Sequence, residues 1–243
     1  MAIFAAGLAA GTINTVVGSG TLITFPTLLA FGYAPVIANV SNTIGLVPGS
    51  MSGAVGYRRE LRGQRRRAIT LGIASMVGGV AGAVLLLELP ASAFKAIVPV
   101  FIAIALLLIL TQGQLLRLIG HHRRAAHQGT PPVAAFGALC SGIYGGYFGA
   151  AQGIMLLALF SLTIDDDLQR LNAMKVVVAG LVNLVAGIVF VFAADVNWAV
   201  AGLIAGGSIL GGALGARYGR RLSPQALKVV IVIVGISAIV RLL

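Results

Sequence analysis

Eight apolar stretches, at residues 2–31, 36–57, 68–88, 93–112, 131–162, 171–194, 197–216 and 225–243, fill nearly the whole chain and leave only short gaps between them. About 20 apolar residues carry a helix across the hydrocarbon core of a bilayer, so each stretch is a candidate membrane segment. Of the 243 residues only 9% are charged, against about 25% in a soluble domain. That is too little polar surface to clothe a globule in water, which excludes a soluble enzyme. The chain is expected to be an all-α integral membrane protein lodged in the lipid bilayer.

Its net charge of +11, from 17 Lys and Arg against 6 Asp and Glu, is not spread evenly. Arg58, Arg59, Arg62, Arg65, Arg66 and Arg67 share one gap, and Arg117, Arg123 and Arg124 another, as cytoplasmic loops do under the positive-inside rule. No aromatic residues interleave with them, which argues against a nucleic-acid partner. Cys140 is the single cysteine and lies in an apolar run, so no intramolecular disulfide can form and packing is its expected role. The opening MAIFAAGLAAG lacks a basic leader and reads as part of the first helix.

The chain repeats itself. A shift of 133 carries Gly78, Gly79 and Gly82 onto Gly211, Gly212 and Gly215, Asn39 onto Asn172, Asn42 onto Lys175, Leu89 onto Leu222, Ala93 onto Ala226 and Lys95 onto Lys228. Earlier in each unit the shift is 131, taking Gly11 to Gly142 and Gly18 to Gly149, so two residues are inserted near Asp165–Asp167. The expected organisation is a first repeat at 1–112, a basic cytoplasmic linker at 113–130 and a second repeat at 131–243.

Basic residues follow the second segment of the first unit but the third segment of the second, at Arg217, Arg220 and Arg221, while the loop at Asp195–Asn197 is not basic. This reversal predicts inverted repeats, which need an odd number of crossings per unit. The segments 2–31 and 131–162 are overlong and broken by GTINTVVGSG at 11–20 and GIYGGYFGAAQG at 142–153. Each unit is therefore expected to hold one broken, re-entrant first segment plus three spanning helices. The loops 58–67, 117–127 and 217–221 then face the cytoplasm, and Gly18 and Gly149 come together near mid-membrane.

Backbone that is not helical at membrane depth must be buried or line a wet cavity, and broken helix ends offer unpaired polar groups to a ligand. Gly18, Ser19 and Gly20 in one tip, and Gly145, Gly146 and Gly149 in the other, are candidates to line a substrate path, beside the polar Asn14, Thr21, Tyr144 and Gln152. Close helix packing is the competing role for such glycines, and is the expected one for the GGxxG pairs at 78–82 and 211–215. Asn39 and Asn172 open helices and either cap free N–H groups or bind substrate. Lys175, the mate of Asn42, sits inside an apolar run, where a charge either snorkels to the interface or is functional. Pro26, Pro35 and Pro48 break or kink helices.

Asp165, Asp166 and Asp167 have no second acidic cluster to make a diphosphate–magnesium site and read as a solvated loop. His121, His122 and His127 lie among arginines without an acid or cysteine beside them, which disfavours a metal site. No nucleophile with its base, Walker loop or GxGxxG unit occurs, so no catalytic group and no cofactor is expected.

GTINTVVGSGTLITFPTLL, APVIANVSNT, PGSMSGAVGYRREL, GIYGGYFGAAQGIMLLAL, LNAMKVVVAGLVN and GGALGARYGRRL together resemble the TauE/SafE sulfite exporter family over nearly the whole chain. The resemblance implies a permease that moves small sulfur-containing anions such as sulfite, sulfoacetate or thiosulfate across the bacterial cytoplasmic (inner) membrane. It puts Asn14, Gly18, Gly20 and Pro26 in the first hairpin, Tyr144, Gly145, Gly146 and Gly149 in the second, and Asn39, Asn42, Asn172 and Lys175 at the helix starts. The second tip, Gly149-Ala150-Ala151-Gln152-Gly153, departs from the family's more glycine-rich pattern, and Gln152 implies an altered substrate preference. Two function classes stand at this point: an exporter of a sulfur oxyanion or organosulfonate, and a non-transporting membrane subunit or lipid-modifying membrane enzyme.

Overall fold

The computed structural model describes residues 1–122 and 130–219, with Val229, residues 231–233, Ile236 and Ile239, and for 115–122 the backbone alone. Most of the basic stretch 117–127, Arg220, Arg221, Lys228 and nearly all of the segment 225–243 lie outside the described residues or their side chains.

The described chain is all helical, as an apolar backbone with no water to bond must be. Its helices are α1 (Ala2–Val16), α2 (Thr21–Ala30), α3 (Pro35–Gly56), α4 (Arg65–Glu88), α5 (Ala91–His122), α6 (Pro132–Tyr147), α7 (Gln152–Thr163), α8 (Leu168–Ala193) and α9 (Trp198–Tyr218). Local chemistry sets several starts. Pro35 and Pro132 occupy first-turn positions, where a missing N–H costs nothing. Asp167 caps α8 by accepting from Gln169 N, and Asn197 caps α9 by accepting from Val200 N at 3.1 Å.

Four helices, Arg65–Glu88, Ala91–Gln114, Leu168–Ala193 and Trp198–Tyr218, are long and apolar enough to cross a bilayer, which makes the chain a multi-pass integral membrane protein. At 22 residues α3 reaches about 33 Å. Its polar run Asn39, Ser41, Asn42 and Thr43 is buried against neighbouring helices. The two overlong first segments are each broken in two. At 15 and 16 residues, α1 and α6 reach only about 22–24 Å, short of a bilayer core of about 30 Å.

Packing runs across the two halves. Gly207, Gly211 and Gly215 of α9 meet Phe4, Leu8 and Thr12 of α1, and Gly78 and Gly82 of α4 meet Leu139 and Ile143 of α6, with carbonyls where a side chain would stand. These are mates under the repeat shifts, so the small residues admit the same close approach twice. In each pair the two helices run parallel. By contrast α3 and α8 run antiparallel, since Gly53, Ser50 and Ile44 meet Val176, Gly180 and Gly187 in turn.

One end of the bundle is basic. There Gly56, at the close of α3, meets Ala216 near the close of α9, and Arg170, near the start of α8, donates to Arg62 O. Asp166 ties this end together: Arg67 Nη1 lies 2.6 Å from Oδ2 and Arg170 Nε 2.7 Å from Oδ1. The acidic loop is thus exposed at Asp165 and Asp167 but engaged at Asp166, a correction to its reading as a solvated loop. Asn197 N donates to Ser41 Oγ near the starts of α3 and α9, away from the basic end. Cys140 is exposed on α6 rather than packed in the core, because α6 turns its small residues Gly142 and Gly146 toward α4 and leaves Cys140 on another face.

Candidate functional site

Both broken helices end in the same way. Gly18 N–H reaches back to Ile13 O at 2.9 Å and Gly149 N–H to Tyr144 O at 3.1 Å, each five residues upstream. The two glycines have φ of +94° and +75°, the left-handed conformation that glycine adopts without a Cβ penalty and that commonly closes helices. The chain then folds back. A side chain on Gly20 would meet Ala10 O at 2.5 Å, and Gln152 Nε2 donates to Ser141 O at 3.0 Å. Each first segment is therefore a helical hairpin.

The hairpin tips meet. Gly153 N–H donates to Gly18 O at 3.0 Å, and a Cβ on Gly18 would lie 2.5 Å from Gly153 Cα. Contact is thus made through Gly153, four residues past the mate Gly149. Ala151 has φ +58°, an uncommon conformation for a residue with a Cβ. Strain of this kind is kept where the surroundings over-determine it, and often at functional sites.

Around the tips the mates Asn39 and Asn172 take equivalent posts. Asn39 Nδ2 donates to Tyr147 O at 3.0 Å, and Asn172 Nδ2 to Thr15 O at 3.4 Å. Each helix start thus serves the free carbonyls at the broken end of the other half's first helix. Of the two roles left open by the sequence, capping of N–H groups is thus not the one they take. Both lie four residues inside their helices, beyond Pro35 and Leu168, too deep to reach the first-turn donors.

Lys175 is fully buried, and its Nζ lies 3.4 Å from Asn14 O and 3.3 Å from Thr15 O. It does not snorkel. A Cβ on Gly153 would sit 3.1 Å from its Cδ, so the lysine stem runs beside the meeting point of the tips. No carboxylate pairs with it among the described residues. A cation facing the carbonyl end of a helix is favoured by the peptide dipoles. Its mate Asn42 works within the first half, accepting from Thr24 Oγ1 and donating to Thr21 Oγ1 at 3.4 Å, which fixes α2 on α3.

Among the remaining candidates, Ser19 is buried and its hydroxyl has no partner among the described residues, like Oδ1 of both Asn39 and Asn172. Buried polar atoms are nearly always satisfied, so these orphans call for polar partners: the Ser19 hydroxyl can donate to an anion, whereas the two amide oxygens accept and call for a donor. Asn14, half-buried, donates to Ser50 Oγ at 3.5 Å. Gly145 has no room for a side chain because the Gln152 amide lies against it, and Gly146 packs on α4. Tyr144 braces the second tip from within its own hairpin. Its hydroxyl closes the second turn on Ala150 O at 2.6 Å, and its ring meets Phe101 at 5.2 Å in an apolar cavity of about 330 Å³.

Sequence reasoning assigned no site role to Gly153, Thr24, Ser50 and Tyr147. Thr24 and Ser50 carried only the weak signal of hydroxyls in apolar runs. Gly153 was named only as the end of the second tip, and the shift of 131 that holds in this part of each unit pairs it with Leu22 rather than with a glycine.

A polytopic helical membrane protein in which two broken helices meet end to end inside the bundle belongs to the class of membrane permeases built around discontinuous helices. The family model described as Sulfite exporter TauE/SafE matches residues 3–242. This chain belongs to that family. It is 29% identical over 242 residues to the "Probable membrane transporter protein ORF9" of Sinorhizobium sp., covering 99% of this chain and 91% of that protein. It is 26% identical to the "Probable membrane transporter protein YfcA" of Escherichia coli (strain K12), covering 99% and 88%. A "Probable membrane transporter protein" of Haemophilus influenzae is 30% identical over 220 residues, covering 88% and 83%. No solved structure matches the chain.

Proposed function

We propose that this protein is a transporter, not an enzyme, that carries a small sulfur-containing anion, sulfite or an organosulfonate, out across the bacterial cytoplasmic membrane. The two halves act as inverted repeats and hold the anion where their hairpin tips meet. Support for inversion comes from the antiparallel course of the mates α3 and α8. The mates α4 and α9 also differ in direction, since α4 starts at the basic end where α9 finishes. The hairpin α6–α7 both enters and leaves at the basic end: Thr130, before α6, and Asp166, after α7, line one cavity there.

The observation that carries the substrate reading is Lys175. A buried ammonium is costly unless compensated, and among the described residues Lys175 has two long contacts to carbonyls at the end of α1, with the helix dipole behind them, and no carboxylate. A permeating oxyanion supplies the missing charge, while Ser19 Oγ offers a donor. An inside-negative potential contributes about 2.3 kcal/mol per charge per 100 mV toward anion exit. Export therefore needs no coupling ion.

The test is flux and binding in proteoliposomes against sulfite, sulfate, thiosulfate, sulfoacetate and taurine. Lys175→Arg should retain partial flux, whereas Lys175→Met should weaken anion affinity by about 1–3 kcal/mol, the worth of a charge-assisted hydrogen bond. Unchanged affinity with a lowered melting temperature would reduce Lys175 to a helix cap. Absence of flux for every anion would overturn the transport reading.

A further inference from the structure

We propose that the basic end of the bundle carries a built site for one anionic diacyl phospholipid, seated across α4 and α8 and separate from the hairpin junction. A polar cavity of about 510 Å³ lies at the first turn of α4, lined by Arg66, Arg67, Thr70, Asp166 and Arg170 among others. Three guanidinium groups there face one carboxylate, a net +2. Asp166 accepts from Arg67 and Arg170. Arg66, which is exposed, makes no side-chain hydrogen bond or ion pair among the described residues. The rim thus presents uncompensated positive charge beside the Thr70 hydroxyl.

The same two helices carry a second, apolar groove of about 360 Å³, lined by Ile69, Ile73, Met76, Val177 and Leu181 and headed by Arg65. Arg65 heads the groove and Arg66, the next residue, lines the polar cavity, so both reach the first turn of α4. On α8 the residues Arg170, Val177 and Leu181 fall at intervals of seven and eleven, one stripe of a helix, which leads from the charged cavity into the apolar groove. Gly72 leaves the notch between the helices, since a side chain there would meet Leu181 Cδ1 at 2.9 Å.

A free small anion accounts for the cavity and leaves the groove unexplained. An uncharged lipid accounts for the groove and leaves the arginines unexplained. A phosphodiester head joined to acyl chains fits both, with the phosphate at Arg66 and Arg170 and a chain along Ile73 and Met76. Arginine suits this task because its planar fork can bond two phosphate oxygens at once.

The experiment is native mass spectrometry of the full-length protein in detergent, titrated with phosphatidylglycerol and with phosphatidylcholine of identical chains. Phosphatidylglycerol should give the tighter single adduct. Arg66→Gln should weaken it about fivefold, the usual worth of one surface arginine toward an anionic lipid. Arg59→Gln, in the same basic loop but lining neither cavity, should leave it unchanged. Ile73→Trp, which fills the exposed groove without touching the core, should also weaken it. The proposal is overturned if Arg59→Gln matches Arg66→Gln, which would mean diffuse attraction. It is also overturned if Ile73→Trp has no effect, or if millimolar inorganic phosphate displaces the lipid from wild type and binds as tightly in its place, which would mean a free-anion site.

Discussion

Gly18 and Gly149 are repeat mates with the same left-handed conformation, yet alanine should not be equally harmful at the two positions. A Cβ on Gly149 would have Gly145 O as its nearest neighbour, at 3.0 Å, within its own helix end. A Cβ on Gly18 would meet Gly153 Cα at 2.5 Å and its carbonyl carbon at 2.8 Å, backbone atoms of the opposing tip that cannot turn aside. Forcing a residue with a Cβ into this conformation costs about 1–2 kcal/mol, and both substitutions carry that cost. Overpacking adds about 1–3 kcal/mol, and only at Gly18. The expected losses are therefore about 1–2 kcal/mol for Gly149→Ala and about 2–5 kcal/mol for Gly18→Ala. Relief of the clash requires the tips to separate, which breaks the bond from Gly153 N–H to Gly18 O and should alter anion flux out of proportion to stability. Thermal denaturation in detergent, paired with flux in proteoliposomes at a temperature where both variants are folded, measures the two effects. Equal stability losses for the two variants, or a milder effect at Gly18, would refute the direct contact of the tips.

Ala150 and Ala151 are both fully buried, but only Ala151 has positive φ. Ala150→Gly should cost about 1–2 kcal/mol in lost methyl burial and added chain freedom, while Ala151→Gly should be nearly neutral because relieved strain offsets the same losses. Equal effects in a denaturation series would contradict the strain assigned to Ala151. Burial alone would raise the Asp166 carboxyl, but hydrogen bonds from Arg67 and Asp167 N–H, with the charge and hydrogen bond of Arg170, outweigh it and hold the group below the usual carboxylate range. A depressed carboxyl contributes stability that is fully present above about pH 4 and is lost as pH falls through its folded-state value. The stability gap between wild type and Asp166→Asn should thus be constant from pH 7 to 5 and narrow as pH falls below about 4, and a gap that does not narrow there would exclude the ion pair as its source. In a Cys140→Ala background, cysteines at positions 62 and 217 should react from the same side of the membrane and one at 195 from the other. Labelling of 62 and 217 from opposite sides would sink the inverted arrangement.

The hairpins were legible because two independent signals coincided at Gly18 and Gly149: segments too long for one crossing, and a repeat shift that superposed their glycines. Asn39 and Asn172 were legible as a pair but not in their role. A sequence places them near helix starts, whereas their bonds run to the broken ends of helices more than a hundred residues away. Lys175 stood out because charge inside an apolar run is rare at any fold, yet whether its stem reached water or the tips depended on the crossing of α8 with α1. The choice of Gly153 over Gly149 as the point of contact came from how two hairpins slide past each other, which no periodicity within one hairpin encodes.

The exchange of partners between halves sets a clock on biogenesis. Gly7 of α1 packs against Ile204 of α9, roughly 200 residues later in the chain, which at about 5–20 residues per second emerges some 10–40 s after it. For that interval the small-residue face of α1 has nothing of its own protein to lie against, and a helix of 15 residues is too short to anchor itself across the bilayer. Helix α1 is therefore seated on α9 long after it is made. An insertase or chaperone that shelters a short, glycine-faced helix at the membrane entrance would raise the yield of folded protein.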